Sequence, residues 1–313
     1  FLDPPKPDVA KAVQELYEAG VDVKVLSGDA SPVVANICGQ VGIRTEAALT
    51  GDEVEGMEDA ALRAAVERTN IFARLAPMQK QRVVDALRAN GHVVGYMGDG
   101  VNDAPPLRHA DVGISVDTAT DVAKESSDII LLEKSLSVLK DGIYEGRRIY
   151  GNIMKYMKMA LSGNFGNVFS VLVASIFLPF LPMIPIQMLL QNLVYDFTQI
   201  AIPWDNVDAE FMRKPKKWDT RGLSRFMNVL GPVSSVFDVA TFAVLWFVLG
   251  YRTAPMETFF QTGWFIEGLI SQTVIVHFIR TSKIPFLQSQ ADIRLVFSSF
   301  CGLLAALALP AAL

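Results

Sequence analysis

The sequence contains very little cysteine: its 313 residues include only Cys38 and Cys301, one in each half of the chain. This usage indicates neither a disulfide framework nor a thiolate metal site. A basic excess is also absent, because the formal net charge is −5, and nothing in that charge suggests nucleic-acid binding. No Cys-Pro-Cys-like string, which would suit soft metals, occurs.

Apolar residues, in contrast, are abundant and unevenly distributed. They make up 51% of the chain, and the mean hydropathy is +0.31. Charged residues are dense before about Tyr150, whereas long apolar segments with charges confined between them follow. The composition therefore predicts a soluble first half and a membrane-embedded second half.

The first half is organised around residues 93–105, where an apolar run breaks into a glycine-rich turn. Gly98 and Gly100 allow the backbone to turn and to approach a ligand closely. Asp99 and Asp103 add hard oxygens of the kind that Mg²⁺ prefers. Gly-Asp-Gly alone is an ordinary structural turn, so it is the length of the string that indicates a metal and phosphate site.

Residues 98–105, Gly-Asp-Gly-Val-Asn-Asp-Ala-Pro, resemble the hinge motif of the P-type ATPases. These are cation pumps whose phosphorylation domain belongs to the haloacid-dehalogenase-like superfamily. The resemblance implies that ATP is the substrate and that Asp99 ligates a catalytic Mg²⁺, with Asn102 and Asp103 supporting the ion and the phosphate. Soluble phosphatases of the superfamily share only a shorter Gly-Asp-x-x-x-Asp core.

Short apolar runs alternate with helical patterns in this half, for example at residues 21–26, 112–116 and 129–132. Such alternation predicts a parallel, doubly wound sheet, with ligands bound beyond the carboxyl ends of its strands. With the resemblance, the expected fold class is an α/β haloacid-dehalogenase-like phosphorylation domain with a Rossmann-like parallel sheet. We expect it to span residues 1–140, followed by an α-helical transmembrane domain at 141–313.

Ser27, Gly28 and Asp29 directly follow the first predicted strand. By itself Ser27 is typical of a helix cap, although a hydroxyl between a strand and a helix can also bond a phosphoryl oxygen. Most P-type pumps resemble Thr-Gly-Asp here, and Ser27 departs conservatively from that pattern. The resemblance therefore implies that residues 27–29 belong to the catalytic site.

Lys80 lies in the first turn of a helix that Pro77 begins. A cation there opposes the helix dipole unless an anion faces it. A solvated surface lysine is one interpretation. The Pro-x-x-Lys motif of the family implies another, in which Lys80 contacts the phosphoryl group and offsets its developing negative charge.

The nucleophile of the superfamily is missing from this sequence. In pumps it is the aspartate of Asp-Lys-Thr-Gly-Thr, a string that occurs nowhere here. The chain also starts at Phe1 without an initiator Met or a signal peptide. We therefore expect a carboxyl-terminal fragment that is inactive alone, with its nucleotide-binding and actuator domains in preceding residues of the same polypeptide.

Five apolar segments of roughly 20 residues, the length that a spanning helix needs, occupy the second half. The connection 204–225 holds six Lys/Arg and 280–294 holds three, whereas 178–185 holds none. Because basic connections are cytoplasmic, residues 1–150 should be cytoplasmic too, in a multi-pass protein of the bacterial inner membrane. The predicted spans lie near residues 157–178, 184–203, 226–249, 263–279 and 293–313.

Polar side chains within these spans are candidates for ion binding. Asn164 and Asn167 share one helix face, as do Asn192 and Asp196, so each pair could direct oxygens at one midplane cavity. Their oxygens suit Mg²⁺ or Ca²⁺. The alternative is hydrogen bonding between helices. Asp238, also within an apolar span, is either structural or part of the ion path.

Residues 164–170, 178–185 and 191–196 resemble the bacterial P-type magnesium transporters of the type-three subfamily, and the likeness covers essentially the whole chain. It implies a protein that is embedded in membrane lipid and transports Mg²⁺ across the membrane, driven by formation and hydrolysis of an aspartyl-phosphate. A calcium pump would carry an acidic residue near Asn167. Three alternatives stay open: a pump for another cation such as calcium, a membrane-anchored phosphatase of the same superfamily, and a non-catalytic membrane module.

Overall fold

A computed structural model describes residues 8–43, 47–133 and 135–311. The chain divides into two compact units, Phe1–Glu145 and Gly146–Leu313. We call them the N-terminal unit and the C-terminal unit. Each is described by itself.

The described residues of the N-terminal unit form six short strands, all paired in parallel. One sheet has the order β1-β3-β2 and the other β4-β5-β6. Strand–helix alternation along the chain produces this parallel pairing, as the sequence predicts. The strands are β1 Val25–Leu26, β2 Ala48–Thr50, β3 Ile71–Ala73, β4 Gly95–Met97, β5 Val112–Val116 and β6 Ile129–Leu131; the helices are α1 Val9–Glu18, α2 Ser31–Gln40, α3 Gly51–Gly56, α4 Asp59–Arg68, α5 Pro77–Ala89, α6 Ala104–His109 and α7 Asp121–Glu125.

The two sheets of this unit share a hydrophobic core. β3 is buried throughout, as expected for a parallel strand covered on both faces. One core cluster surrounds Phe72 and a second surrounds Ile114. Leu26 and Val94 pack against both clusters, so the sheets lie side by side within one packed unit.

The C-terminal unit is helical. Its long first helix, α8 Leu136–Phe177, begins in the N-terminal unit and has 42 residues. The other helices are α9 Pro185–Gln199, α10 Ala209–Met212, α11 Thr220–Ala243, α12 Glu257–Ile279 and α13 Ile293–Ala308; a π-helical turn, Val244–Val248, continues α11, and 3₁₀ turns cover Ile202–Trp204, Ala254–Met256 and Leu309–Ala311.

Three of these helical segments are long and apolar enough to cross a membrane: Leu136–Phe177, Thr220–Val248 and Ala254–Ile279. α9 and α13 have 15 and 16 residues, and at 1.5 Å per residue they fall short of the ~30 Å hydrocarbon core. Spanning by these two helices stays a prediction. Residues 312–313, the end of the fifth predicted span, lie outside the described part of the chain.

Aromatic packing joins the helices of the C-terminal unit. Phe242 of α11 stacks on Phe260 of α12 with ring centroids 5.7 Å apart, and meets Trp264 edge-on at 5.0 Å. α12 also packs against α9 and α13. It is therefore the central helix of the unit, and it carries polar side chains discussed below.

Candidate functional site

The turn after β4 depends on a glycine. A Cβ atom at Gly98 would lie 2.4 Å from the Cβ of Asp103, whereas one at Gly100 would have Asp103 Oδ2 as its nearest neighbour, at 3.6 Å. Gly98 therefore permits the 3₁₀ turn Val101–Asp103 to return Asp103 to the carboxyl end of β4. This is the close approach for which the sequence pattern indicates glycine.

Asp103 is the centre of a half-buried cluster. Its Oδ1 accepts hydrogen bonds from Lys80 Nζ and from the Tyr96 hydroxyl, each at 2.8 Å, and its Oδ2 accepts one from the Gly100 amide at 3.3 Å. The side chains of Lys80 and Asp103 are only 11% and 13% exposed. The anion that faces Lys80 in this structure is thus Asp103, which offsets the unfavourable position of the cation at the start of α5.

The same contacts determine the ionisation of the cluster. Burial raises the pKa of Asp103, but the hydrogen bonds from Lys80 and Tyr96 outweigh burial, so that its pKa lies below the ordinary aspartate value. Burial, the Asp103 charge and the hydrogen bond to Asp103 raise the pKa of Tyr96. Asp103 is therefore an anion and Tyr96 a neutral donor at neutral pH.

Asp99 and Asn102 are exposed at the same end of β4. The main-chain carbonyl of Asp99 accepts a hydrogen bond from the Thr120 amide at 3.0 Å, which attaches the turn to the start of α7. Two aspartates and a carboxamide after one strand form an all-oxygen donor set. Such a set fits Mg²⁺, which prefers a few carboxylates together with water and phosphate oxygens.

Ser27 lies in a tight turn at the end of β1. Its hydroxyl donates to Asp29 Oδ2 at 3.0 Å and accepts from the Asp29 amide at 3.1 Å. Its main chain bonds Phe72 and Leu75, which ties the turn to β3 and the residues after it. Gly28 and Asp29 are exposed. The loop is thus held at the carboxyl end of the first sheet, where a phosphoryl ligand can be bound.

The four predicted ion ligands do not share one environment. Asn167 Oδ1 accepts a hydrogen bond from Gln272 Nε2 of α12 at 2.8 Å. Asn192 is half-buried, whereas Asn164 and Asp196 are exposed. Of the four, only Asp196 lines the cavity of about 600 Å³ between α8 and α9.

Asp238 is buried where α8, α11 and α12 meet. It accepts hydrogen bonds from the Ser170 hydroxyl at 2.5 Å and from Trp264 Nε1 at 2.8 Å. The carboxyl group of Glu267 also contacts it. Asp238 therefore joins three helices through buried hydrogen bonds within the apolar unit.

Sequence reasoning missed a second buried carboxylate, Asp205. It is fully buried, and its Oδ2 accepts from Lys155 Nζ at 2.7 Å and Arg280 Nε at 2.9 Å, while its Oδ1 accepts from the Asp292 amide at 3.1 Å. Burial raises the pKa of Asp205, but these cationic donors outweigh burial and hold it below its usual range. The sequence signal was weak, because Lys155 is one of two lysines, with Lys158, at the start of the apolar part of α8.

Two sequence families match the chain. The family described as "haloacid dehalogenase-like hydrolase" matches residues 1–111, and "Cation transporting ATPase, C-terminus" matches residues 180–312. The first match agrees with the parallel α/β architecture of the N-terminal unit, and the second covers the helical region. The expected fold class is thereby confirmed.

Three relatives illustrate the similarity. "Magnesium-transporting ATPase, P-type 1" of Salmonella typhimurium strain LT2 is 57% identical over 299 residues, 96% of this chain and 33% of its own length. The protein of that name from Escherichia coli K12 is 53% identical over 310 residues, 99% of this chain and 34% of its length. "Calcium-transporting ATPase" of Bacillus subtilis is 32% identical over 293 residues, 91% of this chain and 33% of its length. The chain thus spans about a third of these relatives.

Proposed function

This chain belongs to the cation-transporting P-type ATPases, and we propose that it is part of a bacterial pump that moves Mg²⁺ across the inner membrane at the expense of ATP. The part comprises most of the phosphorylation domain and a group of membrane helices, with residues 1–150 in the cytoplasm. We assign Mg²⁺ because the chain is 57% identical to a magnesium-transporting relative and only 32% identical to a calcium-transporting one.

The cluster around Asp103 supports the phosphoryl-transfer role. Lys80 is held near the turn by its 2.8 Å contact with Asp103, which supports a role in which its fixed positive charge would stabilise the negative charge of a phosphoryl group. Asp99 and Asp103 would hold the catalytic Mg²⁺, which would neutralise phosphate charge when bound. Asn102 would support the phosphate, and Ser27 would donate its hydroxyl to a phosphoryl oxygen.

The phosphorylated aspartate would come from residues outside this chain. Within the described residues, β1 and β4 are each at one end of their sheet and pair on one side only. Leu26 and Val94, at these two strands, pack against both core clusters. We infer that a strand carrying the nucleophile inserts between β1 and β4, so that Ser27 and Asp99 flank it.

Ca²⁺ is the main alternative to Mg²⁺ as the transported ion. The candidate ligands include a single carboxylate, Asp196, together with three asparagines. Mg²⁺ binds few carboxylates and retains several waters, whereas Ca²⁺ prefers six to eight oxygen ligands. A carboxylate-poor site therefore favours Mg²⁺.

The test is transport by the full-length protein in proteoliposomes. We expect ATP-dependent movement of Mg²⁺ but not of Ca²⁺, together with a phosphoprotein that hydroxylamine cleaves, as an acyl phosphate requires. Movement of Ca²⁺ alone would change the assigned ion. Hydrolysis of phosphate esters without movement of either ion would instead support a membrane-anchored phosphatase.

A further inference from the structure

The hydroxyl of Tyr96 is a buried polar group of the candidate site that the proposed function does not use. Tyr96 is the middle residue of β4 and is 8% exposed. Its ring belongs to the core cluster that surrounds Ile114, together with Leu107 and Val116. A phenylalanine ring would fill the same place, so packing explains the ring of Tyr96 but not its hydroxyl. A buried tyrosine hydroxyl normally has a hydrogen-bond partner, and here that partner belongs to the turn after β4.

The partner is Asp103, whose two carboxylate oxygens have different neighbours. Oδ1 accepts from the Tyr96 hydroxyl and from Lys80 Nζ, each at 2.8 Å. Oδ2 accepts from the Gly100 amide at 3.3 Å and lies beside Gly98, because a Cβ atom there would be 2.9 Å from it. The last torsion angle of an aspartate is broad and roughly two-fold. Two donors on one oxygen therefore determine which oxygen faces α5 and which faces the turn.

Lys80 alone would hold the carboxylate less firmly. Its ammonium ends a flexible four-carbon stem and has three rotatable donors, whereas a tyrosine has only two side-chain torsion angles and the Tyr96 ring is packed in the core. Lys80 and Val84 are four residues apart and lie on one face of α5, and Val84 belongs to the same core cluster as Tyr96. The strand and the helix that supply the two donors are thus packed into one core, which keeps the donors close together.

We propose that Tyr96 is a positioning residue for phosphoryl transfer, whose hydroxyl holds the Asp103 carboxylate so that Oδ1 binds Lys80 and Oδ2 faces the glycine turn. The proposal rests on the proposed function, in which Lys80 and Asp103 act at the phosphoryl group. Tyr96 acts through Asp103 and is not itself a catalytic residue. Removing its hydroxyl leaves the carboxylate free to rotate and Lys80 free to follow it, and small displacements of catalytic groups slow a reaction strongly.

The test is Tyr96→Phe in the full-length protein, which removes the hydroxyl and keeps the ring. We expect phosphoenzyme formation from ATP to slow about tenfold, as the loss of one hydrogen bond to a charged group predicts, while ATP affinity stays unchanged. Rapid-quench phosphorylation at saturating ATP and equilibrium nucleotide binding measure the two quantities. Tyr150→Phe is the matched control, because it removes a tyrosine hydrogen bond to the Lys217 carbonyl at 3.0 Å and leaves the Asp103 cluster intact. It should be phosphorylated at the rate of the parent.

Thermal unfolding of the same proteins tests the contact without any measurement of activity. Tyr96→Phe should lower the thermal midpoint by about 2 °C, since it removes one buried hydrogen bond. In an Asp103→Ala background the hydroxyl has lost its acceptor, and an unpaired buried hydroxyl is costly, so Tyr96→Phe should not lower the midpoint further. This double-mutant cycle measures whether the hydroxyl acts through Asp103.

The outcomes separate the positioning role from the proposed function. A parent that forms no phosphoenzyme from ATP would overturn the proposed function and the positioning role with it. A phosphorylated parent whose Tyr96→Phe variant reacts equally fast, or differs only in ATP affinity, would overturn the positioning role alone. So would an equal fall of the thermal midpoint in both backgrounds, because the hydroxyl would then stabilise the core without Asp103.

Discussion

Lys80 and Asp103 are 2.8 Å apart although 23 residues separate them in sequence. The contact joins α5, which follows the first sheet, to the turn that follows β4 in the second. The two charges compensate each other: Lys80 opposes the dipole of its own helix, and the Asp103 side chain is only 13% exposed. Their pairing fixes the hinge turn against the first turn of α5.

The first prediction concerns the space at Gly98. Gly98→Ala should lower ATPase activity of the full-length protein about a hundredfold, because its Cβ would push Asp103 away from Lys80 and small displacements in a catalytic site are costly. Gly100→Ala is the matched control, since its Cβ would make only an ordinary contact at 3.6 Å, and it should lose less than tenfold. Equal losses in the two variants would contradict the steric explanation.

The second prediction concerns the charge of Lys80. Lys80→Ala should slow phosphoenzyme formation by about a hundredfold or more, because the lysine acts where negative charge develops, while ATP affinity changes little. Rapid-quench phosphorylation and equilibrium nucleotide binding measure the two quantities. Lys11→Ala, at an 82% exposed lysine of α1, is the control. Weakened nucleotide binding with normal phosphorylation would refute the assigned role.

Local patterns predicted much of the N-terminal unit. The predicted strand at 112–116 coincides with β5, and Pro77 begins α5 as expected. The predicted strand at 21–26 pairs only at Val25–Leu26. Just before it, the Lys24 ammonium donates to the Thr69 carbonyl and to Asn70 Oδ1, at 2.8 and 3.0 Å. Such tertiary contacts are not visible in a strand pattern.

Contacts between residues far apart in sequence limited the prediction of buried site residues more strongly than the prediction of strands and helices. Asp205 follows Pro203 and Trp204 at the start of the basic connection 204–225, and no motif there marks it as a buried residue. Its burial depends on Lys155 and Arg280, 50 and 75 residues away, and no spacing rule relates these positions. Asp103 and Lys80 were found because a family motif contains each of them, whereas Asp205 lies in no such motif.

The third prediction concerns this buried cluster. Asp205→Ala should lower the free energy of unfolding by about 3 kcal/mol, because it leaves two buried cations without their anion. Thermal unfolding in detergent, followed by circular dichroism, measures the loss. Glu210→Ala breaks only the exposed pair with Lys283 and should change stability by less than about 0.5 kcal/mol. An Asp205→Ala protein as stable as the parent would show that the cluster contributes little.

The last prediction concerns Asp196 as a ligand of the transported ion. An ionised aspartate at the centre of a spanning helix costs roughly 2.5–3.5 kcal/mol on insertion scales. Asp196 lies near the end of α9, at an exposed position beside a cavity rather than in a salt bridge with a described residue. A cation partner would offset that cost. Asp196→Asn should therefore abolish Mg²⁺ transport by the full-length protein while leaving nucleotide binding intact, because the amide keeps the shape but loses the charge.

Asp219→Asn is the control for this change. Asp219 caps α11 by accepting from the Gly222 amide at 2.8 Å, and asparagine caps helices equally well, so transport should be normal. Growth of a magnesium-uptake-deficient bacterial strain in low magnesium gives a second readout. If the Asp196→Asn protein supports growth and transports Mg²⁺ as the parent does, the carboxylate is not needed for the ion. Asp196 would then be assigned to contacts with other helices of the pump, since its position on α9 would still require a polar neighbour.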